Sequence, residues 1–169
     1  LIIAVGGDGT VNEVVNGFFL PPTGPENTLV RPDAELALFT SGSGGDFRKT
    51  FDLPLDIAGQ VARLADATPR CIDIGRLDYT DHDGNPATRY FNNICSFGLS
   101  GVVCRRVNAA NLSKRISSRF AFFWAALRSL FDYKMPFVRL TADDQPPIEV
   151  GINTVGVCNG RYFGAGMHF

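Results

Sequence analysis

Gly6-Gly7-Asp8-Gly9-Thr10 sets three glycines, a carboxylate and a hydroxyl side by side. Glycines let backbone N–H groups approach an anion closely. A helix start directly after them adds partial positive charge. That is the physics of a phosphate cradle. Asp8 is different in kind. A carboxylate beside polyphosphate repels it, unless it binds a divalent cation or accepts a proton from an attacking hydroxyl. The same spacing also suits a plain strand-to-helix turn with Asp8 as its N-cap.

Gly42-Ser43-Gly44-Gly45-Asp46 repeats the logic, with a hydroxyl at Ser43 and an acid where a helix would start. A single glycine turn before a helix is common. Two of them at like ends of neighbouring strands point to one shared anion site.

Such a site needs a scaffold that brings both turns to the same end. Leu1-Ile2-Ile3-Ala4-Val5 is an apolar run and reads as a strand buried on both faces of a parallel sheet. Thr10 and Glu13 fit a capping box with Thr10 as N-cap, and Val11, Val14, Val15 and Phe18 follow helical spacing. Pro21-Pro22, Gly24-Pro25 and Arg31-Pro32 make residues 20–35 a loop. Glu35 to Thr40 is a second strand, followed by a short helix through Phe47 and Phe51 that stops before Pro54. Asp56 can cap a third helix, with Ile57, Val61, Leu64 and Ala65 on one face. Strand–turn–helix, twice, predicts an α/β layer whose ligands lie outside the carboxyl ends of the strands.

The pattern changes near residue 70, so the expected division is 1–70 and 71–169. Cys71 to Leu77 alternates apolar and polar residues, Asp81 to Pro86 is a turn, and Tyr90 to Cys95 resumes as a strand. That is a hairpin, with His82 and Asp83 as turn residues. A helix is expected over 113–131, with Ile116, Phe120, Phe123, Leu127 and Leu130 on one stripe. Its basic and aromatic residues suit either packing or a membrane interface. Short strands follow around 137–141, 148–150 and 152–158.

Composition bounds the partners. The chain has 169 residues, 20% of them charged, and a net charge of −1, so no basic field points to nucleic acid. Cys71, Cys95, Cys104 and Cys158 form no C-x-x-C pair and read as free thiols of a reducing, cytoplasmic setting. No apolar run of roughly 18 residues spans a membrane. The start inside a strand at Leu1, and the end at Phe169 without a stop signal, read as the edges of a fragment.

The stretch from Gly6 through Gly17, GGDGTVNEVVNG, resembles the signature G-G-D-G-T-x-N-E-V-x-N-G of diacylglycerol kinases and related bacterial lipid kinases. Thr40 to Lys49 is similar to that family's P-x-G-T-x-N-D-x-A-R stretch. Ile72 to Gly75, Tyr90 to Asn93 with Ser96 to Leu99, and Val157 to Met167 resemble its later segments.

The resemblance implies an α/β nucleotide domain of the NAD kinase and phosphofructokinase kind, followed by an antiparallel β-sandwich. It implies phosphoryl transfer from ATP, with Mg²⁺, to a lipid hydroxyl, most simply diacylglycerol giving phosphatidic acid. Gly6, Gly7, Asp8, Gly9, Thr10 and Asn12 would hold the ATP phosphates, together with Gly42, Ser43 and Asp46. Asp8 would serve the Mg²⁺–phosphate centre, with the general base beyond residue 169. A membrane-lipid substrate, peripheral contact with a bilayer from the cytoplasm, and compatibility with a homodimer go with that reading. Thr40 and Gly45 depart from the family's Pro and Asn. Sphingosine- and ceramide-type kinases tend to carry His where Asn12 stands, and NAD kinases share only Gly-Gly-Asp-Gly. A non-catalytic nucleotide- or lipid-binding module is the reading from another class, with Gly45 in its favour.

Overall fold

The computed structural model describes residues 1–22, 24, 26–41, 45–109, 128, 131–164 and 166–168. In chain order the elements are β1 (Ile2–Gly6), α1 (Asp8–Asn16), β2 (Leu36–Thr40), α2 (Asp46–Thr50), α3 (Ile57–Ala65), β3 (Gly75–Thr80), β4 (Pro86–Phe91), β5 (Ile94–Gly98), α4 (Leu99–Ala109), β6 (Phe137–Leu140), β7 (Ile148–Gly151), β8 (Thr154–Cys158), β9 (Tyr162–Phe163) and β10 (Met167–His168). They fall into two compact units, Leu1–Cys95 with Cys158–Phe169, and Ser96–Val157. The change of character read near residue 70 falls inside the first unit.

The first unit is built on a parallel pair. β1 and β2 run in register from Ile2↔Leu36 to Gly6↔Thr40. Helix α1 lies over them through Val11 and Val15, which join Ala4, Phe47 and Tyr90 as the buried core. The expected burial of β1 on both faces is not what the structure shows. Only Ala4 is buried, while Ile2, Ile3 and Val5 are exposed at 43%, 46% and 64%. A two-stranded ribbon under one helix has a single covered face.

Helix α1 also starts earlier than the capping box implied. Gly7, in extended conformation, is the N-cap, and its carbonyl accepts from Val11 N at 3.1 Å. Thr10 therefore lies inside the first turn, and Glu13 pairs with Arg89 instead of reaching back to a cap. At the other end, Asn16 donates Nδ2 to Tyr90 O at 2.8 Å and accepts from Tyr90 N at 2.9 Å. One side-chain amide thus fastens the helix to β4.

Helix α2 is short, and α3 is capped by Asp56 as expected, with Gly59 N donating to it at 2.7 Å. The apolar face predicted for α3 is not its buried face. Ile57 and Val61 are exposed, and the buried residue is Gln60. Its Nε2 donates to Thr40 O at 3.2 Å and Leu55 O at 2.8 Å, so hydrogen bonding rather than apolar burial seats this helix.

The hairpin forms with β3 and β4 antiparallel, from Gly75↔Phe91 to Thr80↔Pro86. Residues 71–74 lie outside β3, because its partner β4 ends at Phe91. The strand expected from Tyr90 to Cys95 is interrupted at Asn92 and Asn93. Their polar atoms serve the returning segment: Asn93 O accepts from Asn159 N at 2.8 Å and Gly160 N at 2.9 Å, and Asn93 Nδ2 donates to Tyr162 O at 3.0 Å. Asn159 Nδ2 in turn donates to Asn92 O and Asp73 O at 2.9 and 2.7 Å.

In the second unit β6 and β7 pair antiparallel from Phe137↔Gly151 to Leu140↔Ile148, near the predicted positions. Helix α4 begins directly after β5. Gly98, at φ 97°, makes that turn, and Leu99 N donates to Asn153 O at 2.7 Å. The helix expected over 113–131 lies outside the described residues except at Arg128 and Phe131. The four cysteines are free, and burial raises the pKa of the Cys95 thiol. Among the described residues no helix is long and apolar enough to cross a membrane.

Candidate functional site

The two glycine turns leave the sheet side by side. Gly6 and Thr40 are register partners at the carboxyl ends of β1 and β2, and Ser41 N donates to Gly6 O at 3.2 Å. Both loops therefore leave the same end of the parallel pair.

The first turn is tightly determined. A Cβ on Gly6 would fall 2.5 Å from Thr10 Oγ1, so only glycine lets the strand end meet the first turn of α1. A Cβ on Gly9 would meet nothing within 4 Å. Gly9 and Thr10 are exposed, and Asn12 is half-buried one turn into the helix. Amides of a helix's first turn have no intrahelical acceptor. Those of Asp8, Gly9 and Thr10 thus sit at an open helix N-terminus, an arrangement that takes an oxyanion.

Asp8 does not take the N-cap place that a plain strand-to-helix turn would give it. It is the first residue of α1 rather than its cap, and its carboxylate reaches across to the second turn. Oδ2 accepts from Asp46 N at 3.0 Å and Oδ1 from Phe47 N at 3.1 Å. The helix capped by Asp8 is therefore α2, not α1. Gly45, the N-cap of α2, is left-handed at φ 58°, ψ 39° and has no side chain to do that work. Asn also tolerates this region. Gly45 thus keeps the backbone that the family's Asn would take, without the side-chain amide.

Asp46 is buried, and its carboxylate pairs with Lys49 Nζ at 2.8 Å. It is brought next to Asp8 through its backbone, not as a second open carboxylate. Gly42 and Ser43 lie outside the described residues. Thr40, at the family's Pro position, is buried with its Oγ1 unpartnered. Arg161 is exposed, and its backbone N donates to Thr50 Oγ1 at 3.1 Å.

For a metal, the described residues offer no group of three His, Cys, Asp or Glu. A Mg²⁺ ion held mainly by phosphates and water needs only one or two carboxylates. Each Asp8 oxygen keeps a further lone pair beside its N–H bond. Asp8 fits such an ion as a single protein ligand.

Three contributors were not singled out from sequence. Asn16 and Asn159 act through side-chain amides that fix remote backbone, and Lys49 pairs with Asp46. The available signal was that Asn recurs at chain turns, where its amide can satisfy backbone groups.

A parallel α/β pair whose loops leave one end beside an open helix N-terminus is a scaffold of the α/β nucleotide-binding kind. The comparisons narrow it. The family model for the diacylglycerol kinase catalytic domain matches residues 1–77, and that for the YegS C-terminal NAD kinase beta sandwich-like domain matches residues 93–169. A diacylglycerol kinase of Staphylococcus epidermidis is 31% identical over 144 residues, covering 85% of this chain and 39% of that protein. One from Staphylococcus haemolyticus is 31% identical over 145 residues, covering 86% and 38%. A solved diacylglycerol kinase structure from Bacillus anthracis str. Sterne superposes with a TM-score of 0.54 at 25% identity, covering 98% of this chain and 46% of that one. The chain belongs to the diacylglycerol kinase catalytic-domain family, and it spans about two fifths of the length of the curated relatives it matches.

Proposed function

We propose that the full-length protein transfers the γ-phosphoryl of ATP to a lipid hydroxyl, with diacylglycerol as the acceptor and phosphatidic acid as the product. The observation that carries this is the pairing of two glycine turns at Gly6↔Thr40, with the first-turn amides of α1 beside open space at Gly9. Those amides would hold phosphate oxygens. Asp8 would offer its remaining lone pairs to Mg²⁺, which when bound neutralises charge on the transferring phosphoryl group. Catalysis in this class rests on positioning and charge neutralisation. The acceptor oxygen gains the phosphorus as the β–γ bridge breaks, and its proton passes to a general base. A lipid acceptor also requires contact with a bilayer.

The test uses the full-length protein, Mg-ATP labelled at the γ-phosphate, and diacylglycerol, sphingosine and ceramide in mixed micelles, with NAD as a soluble acceptor. Label in diacylglycerol is the expected result. Label in NAD or a sphingoid base alone would redirect the assignment, and no label with any acceptor would leave a binding module. Gly9→Ala sharpens the experiment. Its Cβ strikes nothing in the protein, so stability should hold or rise by about 0.5 kcal/mol through helix propensity. Turnover should fall at least tenfold if phosphate occupies that space.

A further inference from the structure

We propose that Asp8 is a positioning residue that couples the two glycine turns by holding the start of α2, where the second turn ends, from the first. The inference deepens the reading above, and only its kinetic half rests on that reading.

The geometry is direct. Both oxygens of one carboxylate accept from consecutive amides, Asp46 N at 3.0 Å and Phe47 N at 3.1 Å, 38 and 39 residues along the chain. These amides open helix α2, whose own N-cap makes no side-chain bond. An isolated helix this short is far below the length that sustains itself in water. Charge-assisted bonds to its N-terminal amides and favourable interaction with its dipole thus join the core burial of Phe47 in holding it. The carboxylate is itself fixed, because Asp8 opens the longer helix α1, which is packed through Val11 and Val15.

What Asp8 holds extends further. The other end and face of α2 seat the segment that returns after β8. Thr50 Oγ1 accepts from Arg161 N at 3.1 Å. Lys49 Nζ lies 3.0 Å from where a Cβ on Gly166 would be, so the ammonium lies close against that backbone. Lys49 is simultaneously paired with Asp46, the residue whose amide Asp8 holds. One carboxylate therefore anchors the short helix that follows the second glycine turn and that the returning segment touches at Arg161, a segment Asn93 and Asn159 also fasten. A role confined to a proton or a metal ion leaves these bonds unexplained, since neither needs two backbone amides of another loop.

The test is amide hydrogen exchange on the full-length protein, read by NMR or mass spectrometry, for wild type, Asp8→Asn and Asp8→Ala. The β3–β4 ladder serves as the internal reference. Exchange at Asp46 and Phe47 should accelerate at least tenfold in Asp8→Ala and less in Asp8→Asn, which keeps one acceptor oxygen. A smaller acceleration should appear at Arg161, with the ladder unchanged. In parallel, KM for ATP should rise at least tenfold in Asp8→Ala, with the rise in Asp8→Asn tracking its loss of protection. Unchanged exchange at Asp46 and Phe47 overturns the proposal. So does faster exchange with unaltered ATP affinity, which would reduce the clamp to a fold contact. Loss of kcat alone, with KM and exchange both preserved, would assign Asp8 to the chemistry only. If Asp8→Ala also loses the ladder, Asp8→Asn decides. If wild type phosphorylates nothing, the kinase reading fails while exchange and direct ATP binding still decide the clamp.

Discussion

The two glycine turns look alike in sequence and are held in different ways. The first is determined by its own neighbours: Gly6 meets Thr10 at a distance only glycine allows, and α1 behind it is nine residues long with a buried face. The second leads into a five-residue helix whose N-cap, Gly45, is left-handed and brings no capping side chain. Its cap comes from Asp8 in the first turn. Similar composition thus conceals a hierarchy, in which one turn is self-supporting and the other is templated upon it. A pair of loops built this way needs one rigid member, and the second can diverge, as Gly45 for Asn does, while the helix start after it is held from outside.

The largest effect should come from breaking the self-supporting turn. Gly6→Ala forces a Cβ to within 2.5 Å of Thr10 Oγ1, and overpacking of that kind should cost about 2 kcal/mol. Urea denaturation measures it. Thr10→Gly in the same chain removes the opposing atoms and should recover part of the loss relative to the sum of the single variants. Full additivity of the two would show that the close approach does not define the turn.

The second turn should respond less, and in a different order. Gly45→Ala places an ordinary side chain at φ 58° with its Cβ 3.3 Å from Arg48 Nε, for which about 1 kcal/mol is the expected loss. Gly45→Asn should cost clearly less, since Asn tolerates the left-handed region. An equal cost for Ala at Gly6 and Gly45 would abolish the distinction between the turns.

Much of this was readable beforehand, and the exceptions share a cause. Gly6 to Gly17 announced strand, turn and helix because glycine spacing and apolar periodicity are local signals. Asp56 announced its cap for the same reason. The long-range uses of polar side chains were not legible. Asp8 reads locally as a cap for its own helix, and nothing within ten residues of it shows that its acceptors face Asp46 and Phe47. Glu13 matched a capping box but pairs with Arg89. The interruption at Asn92 and Asn93 is not signalled by the apolar pairs that flank it, because its cause is Asn159 and Gly160 arriving from far along the chain. On α3 the apolar stripe pointed to the wrong face, since Gln60 is seated by carbonyls of Thr40 and Leu55.

The smallest effect comes from a carboxylate that serves its own turn. Asp81 accepts from Asp83 N at 2.9 Å and Asn85 N at 2.8 Å, closing the β3–β4 hairpin within four residues. The Asn85 amide, foremost, lowers its pKa below the ordinary 3.8. A depressed folded-state pKa means the contribution is present above 3.8 and fades as pH falls through the lower folded value. Because the group is exposed, the change in hairpin stability between pH 5 and pH 2.5 should be smaller than any in the Gly45 series. In Asp81→Asn it should shrink to the share of Asp78, whose carboxylate Thr88 and Arg76 hold below 3.8 on the same ladder. An NMR titration of the Asp81 carboxyl checks the midpoint directly. A midpoint at or above 3.8 would show that amide bonds to an exposed carboxylate do not hold its charge here. It would also place the weight of the Asp8 clamp on its part-buried setting and on the helix end it meets, rather than on the number of N–H groups.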